Sequence, residues 1–279
     1  MSDIRLKFMM DLQRIEEEHY QLREGELLQD FVTLMLQYIG DPQPELRDGL
    51  IYSTFYEWIH EKNRFTNEEL RSLLAVLSDE QHLFYQIGSE GDQTVFTRAF
   101  SVLPIALIVR LHRKQPFLNL DDFQHLKYSL HRYYKEEKDL RGYLLEGGWA
   151  HSAAHGADAL VELVQCQESD VALQLDVLAA IQRMLHNGIH IFSDEEDERI
   201  ASILETIINQ NLLPQQNIVD WISGLAQCGD WTRSRGQVIA RVNTKNFLRS
   251  LYFRMKQDNC RNDLSRSMLA AEAKLNKFV

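Results

Sequence analysis

The stretch Trp149-Ala150-His151-Ser152-Ala153-Ala154-His155-Gly156-Ala157-Asp158-Ala159-Leu160-Val161-Glu162 decides how the fold is read. On a helix at about 100° per residue, His151, His155, Asp158 and Glu162 fall in a stripe about 60° wide. Ala150, Ala153, Ala154, Ala157, Leu160, Val161 and, beyond, Val164 cover the opposite side. Ser152, Gly156 and Ala159 fill one flank with groups small enough to let a neighbouring helix approach closely. A solvated surface helix carries a wide face of Lys, Glu and Gln. Here the polar line is thin, and the first two turns hold no Lys or Arg. The expectation is a helix sandwiched by other helices, leaving one seam of imidazole and carboxylate along a groove.

Outward from this segment the apolar spacing is helical almost everywhere, and no segment alternates as a strand. A helix is expected from near Asp3 to Gln37 with a break around Gly25, stopped by Gly40-Asp41-Pro42. Others are expected over 44–60, 66–77, 79–87, 94–112, 121–137, 149–165, 169–186, 193–210, 214–227, 233–256 and 260–276. Thr66-Asn67-Glu68-Glu69 and Ser193-Asp194-Glu195-Glu196 have capping-box form, in which each end residue bonds the other's amide. A faint echo runs through the chain: Ile59-His60 before Phe65, Leu111-His112 before Phe117, Leu185-His186 before Phe192, each followed by an acidic helix start. A histidine suits the negative end of a helix. About a dozen helices joined by short loops, with this echo, predict an all-α protein: an irregular helical-repeat, HEAT/armadillo-like α-α superhelix. With no linker or low-complexity stretch, residues 1–279 are expected to form a single domain.

Composition narrows the function classes. Of 279 residues, 41 are acidic and 30 basic, a formal net charge of −11 that repels phosphate backbones and anionic lipid surfaces. Neither nucleic acid nor membrane is expected as a partner; the basic segments Arg233–Arg254 and Arg261–Lys277 carry apolar residues at helical spacing and read as ordinary helices. Cys166, Cys228 and Cys260 form no CxxC pair, which argues for reduced, mostly buried thiols rather than a disulfide framework or a thiolate zinc site. The start lacks the pattern of a secretion signal. The longest nearly apolar run, Phe100 to Val109, is about half of what a membrane helix needs and is broken by Pro104. The expected location is the cytoplasm.

The chemistry concentrates near residue 150. His151 and His155, four apart, project from one helical face and can converge on a divalent metal such as zinc, with Asp158 one turn on. The zinc-protease helix needs a Glu directly after the first His, where Ser152 stands. A hydrogen-bonded network, or a groove binding a polar ligand through neutral imidazoles, is the competing reading. Arg141 reads first as the partner of Asp139, Asp158 or Glu162 and second as a clamp on a ligand's anionic group. Trp149 reads first as core and second as a stacking platform. Arg47 and Arg98 lie among apolar neighbours and are expected to turn inward, pairing with carboxylates or contributing to the groove. Asp194 to Arg199 reads as a dense acidic helix start. No dinucleotide fingerprint, phosphate loop, nucleophile elbow or adjacent His-Asp pair is present.

Asp139-Leu140-Arg141-Gly142-Tyr143, Gly148-Trp149-Ala150-His151 and Ala154-His155-Gly156-Ala157-Asp158 together resemble the signature of an uncharacterised bacterial family, domain-of-unknown-function family 2785. Leu46-Arg47-Asp48, Phe96-Thr97-Arg98-Ala99-Phe100 and Glu196-Asp197-Glu198-Arg199 resemble further parts of its pattern. The resemblance implies an all-helical, HEAT-like protein and carries over no catalytic role. Two readings of function follow. The first is a non-catalytic helical-repeat module without a cofactor, binding a protein or small polar ligand in a groove around Arg47, Arg98, Arg141, Trp149, His151, His155, Asp158 and Glu162. The second is a metal-dependent hydrolase with His151, His155 and Asp158 as ligands and Glu162 or Asp139 as general base.

Overall fold

Between residues 45 and 61 the buried side chains recur in pairs every four residues: Leu46 and Arg47, Leu50 and Ile51, Thr54 and Phe55, Trp58 and Ile59. An α-helix, at about 3.6 residues per turn, would rotate such pairs off the core by about 40° with each repeat. In the computed structural model, which describes residues 3–257 and 262–278, this segment winds more widely. Glu45–Tyr52 and Tyr56–Glu61 are π-helical around a short α turn at Ser53–Phe55. The winding keeps both columns of apolar groups inward and aligns Asp48, Tyr52, Tyr56 and His60 beside them. We call the whole of 45–61 helix α3.

Before it lie α1, Asp3–Glu17, and α2, Leu28–Gln37. The expected break at Gly25 is a full loop, with His19, Tyr20 and Gly25 all at positive φ. After it come α4 (Asn67–Leu77), α5 (Thr94–Lys114) and α6 (Leu120–Glu136). A hairpin, β1 (Tyr143–Leu144) against β2 (Gly148–Trp149), precedes α7 (Ser152–Leu163). Then follow α8 (Val171–Leu185), α9 (Glu196–Asn209), α10 (Gln215–Leu225), a 3-10 turn at Ala226–Asp230, α11 (Arg235–Gln257) and α12 (Asn262–Leu275). Helices account for 68% of the chain and the one hairpin for its only sheet among the described residues, so the fold is all-α.

Two expected helix starts show how local chemistry decides. The capping box at Thr66 forms in full, with Thr66 Oγ1 accepting from Glu69 N–H and Glu69 accepting from Thr66 N–H. A second forms at Asn119 with Asp122. The box expected at Ser193 does not: Glu195 enters the helix at φ 68°, Ser193 bonds Asp194, and Glu196 reaches back only to Asp194 N–H. Nor is 79–87 a helix. It is a run of turns whose carbonyls at Tyr85 and Gln86 accept from buried Arg98.

Helices α3, α5, α7, α9 and α11 are successive neighbours, while α4 packs on α5, α6 on α7 and α8, and α8 on α9. Buried apolar groups from Phe8 to Leu275 form one large core, with Val95, Phe96 and Ala150 in a small second cluster. Helix α5 is long and apolar enough to cross a membrane, but 78% of its apolar window is buried inside the fold, so it serves as a core helix. The three His-to-Phe echoes share helix ends but no common contact. His60 bonds Glu61, His112 accepts two backbone amides, and His186 packs edge-on against Trp231. Cys166 and Cys228 are buried free thiols, as expected; Cys260 lies outside the described residues.

Candidate functional site

The hairpin changes where the polar seam begins. Tyr143 pairs with Trp149 and Leu144 with Gly148, and the ladder continues as Ala150 N–H donates to Gly142 O and His151 N–H to Arg141 O. Gly147 and Gly148 take φ of 111° and 70°, a turn that residues with side chains rarely adopt. The helix therefore starts at Ser152 rather than Trp149, and His151 is its cap residue at φ 53°. From the cap position the His151 ring still meets that of His155, edge to face with centroids 5.7 Å apart. Gly147-Gly148 was the signal for this turn.

The sandwich itself forms. Gly156 lies so close to α6 that a Cβ would sit 2.6 Å from the Tyr134 ring. Tyr133 and Tyr134 donate their hydroxyls to the carbonyls of Ser152 and Ala153. On the opposite side His155 is buried, its Nδ1–H donating to Ala99 O at 3.1 Å and its ring edge-on to Phe100. Pro104 sits within this part of α5, removing the amide that would bond Phe100 O. Burial pushes the His155 imidazole down to about 3, helped by the neighbouring His151 and arginines, so the ring is neutral.

Each other seam residue has a partner. His151 Nε2 lies 2.7 Å from Asp194 O and 3.7 Å from the buried Glu196 carboxylate. Asp158 takes Arg199 in a two-pronged pair at 3.0 and 2.5 Å; burial pushes its carboxyl up and Arg199 opposes the shift. Glu162 accepts Arg113 at 2.7 Å and lies 3.9 Å from Arg110. Trp149, expected in the core, is 38% exposed and stacks on the His151 ring at 4.6 Å.

The three arginines settle differently. Arg141 clasps Asp139 at 2.7 and 2.6 Å and donates to Asp92 O, the ion-pair reading. Arg98 is fully buried in a two-pronged pair with buried Glu137, at 2.7 and 3.0 Å. Arg47 is fully buried with no carboxylate partner, a departure from the pairing expected of it. It donates to the carbonyls of Asp41, Gly147 and Trp149 and lies over the rings of Phe96 and Phe100 at 3.9 and 4.6 Å. Burial pulls its guanidinium down to about 10.

A groove of about 380 Å³ opens between α3, α5, α7 and α9. Asp158, Glu162 and Arg199 line one side, Arg110 another, and Tyr52 and Tyr56 the wall opposite. Of the seam residues, only Asp158 and Glu162 reach it. Sequence reasoning missed Tyr52, Tyr56 and Arg110; the repeat of four in Tyr52-Tyr56-His60 was the available signal.

His151, His155 and Asp158 do not converge as a metal triad, because Asp194 O and Arg199 hold two of them. The described residues that do converge are His112, Cys166 and Glu168, with ligand atoms within 4.8 Å of one another. Their chemistry opposes a metal. His112 Nδ1 accepts from Phe117 N–H and Leu118 N–H, so its proton must sit on Nε2, facing Glu168 at 3.3 Å. Burial and the nearby carboxylates push the Cys166 thiol up to about 12, away from the thiolate a metal needs.

No curated protein and no solved structure matches the chain. A family model does, over residues 83–253, more than half of the sequence. That span contains Phe96–Phe100, Asp139–Asp158 and Glu196–Arg199, while Leu46–Asp48 falls before it. The buried Arg98, the hairpin, the α7 sandwich and the start of α9 all lie inside the matched region, and the chain belongs to the family described as protein of unknown function, DUF2785.

Proposed function

We propose that the protein is a non-catalytic binding module of paired helices that holds a small polar ligand of mixed charge in the groove between α3, α5, α7 and α9. One observation carries this reading: the groove presents carboxylates and guanidiniums in near-balance under two tyrosine rings, with each carboxylate already held by an arginine. Groups so engaged make poor general bases, since a base needs a free lone pair near the substrate proton. They make good recognition groups, fixed in position before a ligand arrives. Arg110 is the least committed, 3.9 Å from Glu162 and with no hydrogen-bond partner on its buried Nε. It suits a ligand carboxylate, while Glu162 and Asp158 suit an ammonium. The succession of neighbouring helices α3, α5, α7, α9 supports the repeat character.

Free amino acids and dipeptides are the direct probes, followed by NMR titration at constant ionic strength. Saturable shifts confined to α3, α5, α7 and α9, weakened about tenfold by Arg110→Ala and by Tyr52→Ala, are expected. Absence of saturation across the series, or unchanged affinity in both variants, overturns the proposal.

A further inference from the structure

A second cavity, of about 500 Å³, lies between the C-terminal ends of α6 and α8, away from the groove. We propose that it is a binding site for a small phosphorylated anion, held by Lys135, Lys138 and Arg183. All three line the cavity, and among the described residues none has a carboxylate within ion-pairing distance. In a chain with 41 acidic and 30 basic residues, three unpaired cations around one concavity is the reverse of the average surface. The only carboxylate in the lining, Glu137, is buried, paired with Arg98 and accepting from Lys138 N–H and Asp139 N–H, so its charge is compensated from behind. The volume falls within the range of small-ligand sites.

The competing explanation is that cations near a helix end merely offset its exposed carbonyls. It accounts for Lys135 and Arg183 singly but not for Lys138, which lies beyond α6. The end of α8 is also closed without Arg183, by Asn187 donating to Met184 O and by His186 N–H donating to Gln182 O. Arg183 reaches instead toward His131, whose imidazole is held down by burial and by the charges of Arg183, Lys135 and Lys127. The positive field over this surface is thus felt by a neighbouring group.

The arrangement of the cations favours phosphate over carboxylate. A guanidinium and two ammonium groups surround one concavity. A tetrahedral phosphate presents three strong acceptor oxygens from a single centre, whereas a planar carboxylate presents two. Arginine and lysine together are the usual pairing for phosphate oxygens.

Calorimetric titration of the full chain with pyrophosphate, and separately with citrate, tests this at ionic strength fixed with chloride. Saturable pyrophosphate binding is expected, at least tenfold tighter than citrate. A Lys135→Ala, Lys138→Ala, Arg183→Ala variant should weaken pyrophosphate at least tenfold, and Arg71→Ala, whose partner is Asp122 on another surface, should not. All four substituted residues are exposed, and circular dichroism and a melting curve check that the triple variant folds. No saturation, equal affinity in the triple variant, equal loss in Arg71→Ala, or citrate binding as tightly as pyrophosphate each overturns the proposal.

Discussion

Arg98 and Arg47 are both wholly buried, yet they are held by opposite means. Arg98 meets a buried carboxylate, Glu137, in a two-pronged pair, and the pairing outweighs burial so that its guanidinium titrates above the ordinary value. Arg47 meets only carbonyl oxygens and two phenyl rings, and burial pulls it down to about 10. The first is a lock in the core, anchoring the turns of 79–89 to the end of α6. The second is a strut, fastening the hairpin that carries Trp149 and His151 to α3. A buried charge paired with its opposite is costly to break from either side; a cation held by dipoles leaves no opposite charge behind when removed.

The largest expected effect follows directly. Arg98→Ala strands Glu137 in the core and should destabilise the fold by about 3–5 kcal/mol in urea unfolding. Glu137→Gln should cost a similar amount. The double variant Arg98→Ala, Glu137→Gln should lose less than the sum of the two singles by about 2 kcal/mol or more. Additive losses would mean that the two side chains act through backbone contacts, not through each other.

Arg47→Met should cost about half as much, about 2 kcal/mol, since it removes three charge-assisted hydrogen bonds but leaves no orphaned charge. The loss should be local: the Trp149 indole resonance should broaden while those of Trp58 and Trp221 stay sharp. A loss as large as that of Arg98→Ala would erase the distinction between lock and strut.

His155 packs edge-on against Phe100, one of the two rings under Arg47, and its burial has a measurable pH consequence. The folded ring takes no proton until about pH 3, whereas the unfolded ring takes one below its ordinary 6.5. The unfolded state therefore binds more protons across that window, and stability falls as pH drops from 6.5 toward 3 by about 1.4 kcal/mol per unit. His155→Asn keeps an N–H for Ala99 O and removes the titration. Its stability should fall less steeply with acid than that of the parent chain between pH 6.5 and 4.5, compared by urea unfolding at several pH values. Parallel slopes would place His155 in contact with water.

How far these features were legible depends on whether they obey a helical period. The α7 sandwich was readable because alanines and a glycine at helical spacing leave no other packing, and Gly156 against Tyr134 realises it. The inward turn of Arg47 and Arg98 was readable from their apolar neighbours; the partner of Arg98, 39 positions away, was not. The start of α7 was misread because a helical wheel has no means of showing that Gly147-Gly148 reverses the chain and hands Trp149 to a strand. The tyrosine wall of the groove was missed because residues 45–61 repeat every four positions, a period that belongs neither to an α-helix nor to a strand.

The smallest effect belongs to the groove and sharpens the contrast with Arg98. Arg199 and Asp158 form the same two-pronged pair as Arg98 and Glu137, but Arg199 is about half exposed. Water screens such a pair, and exposed ion pairs contribute about 0–1 kcal/mol. Burial also works against the Asp158 charge, so Asp158→Asn removes an attraction and a desolvation cost together. Its stability should lie within about 0.5 kcal/mol of the parent by urea unfolding. A loss of several kcal/mol would make this pair a second core lock. A small one leaves the groove with charges that can exchange protein partners for a ligand without loosening the fold, which the buried Arg98 pair cannot do.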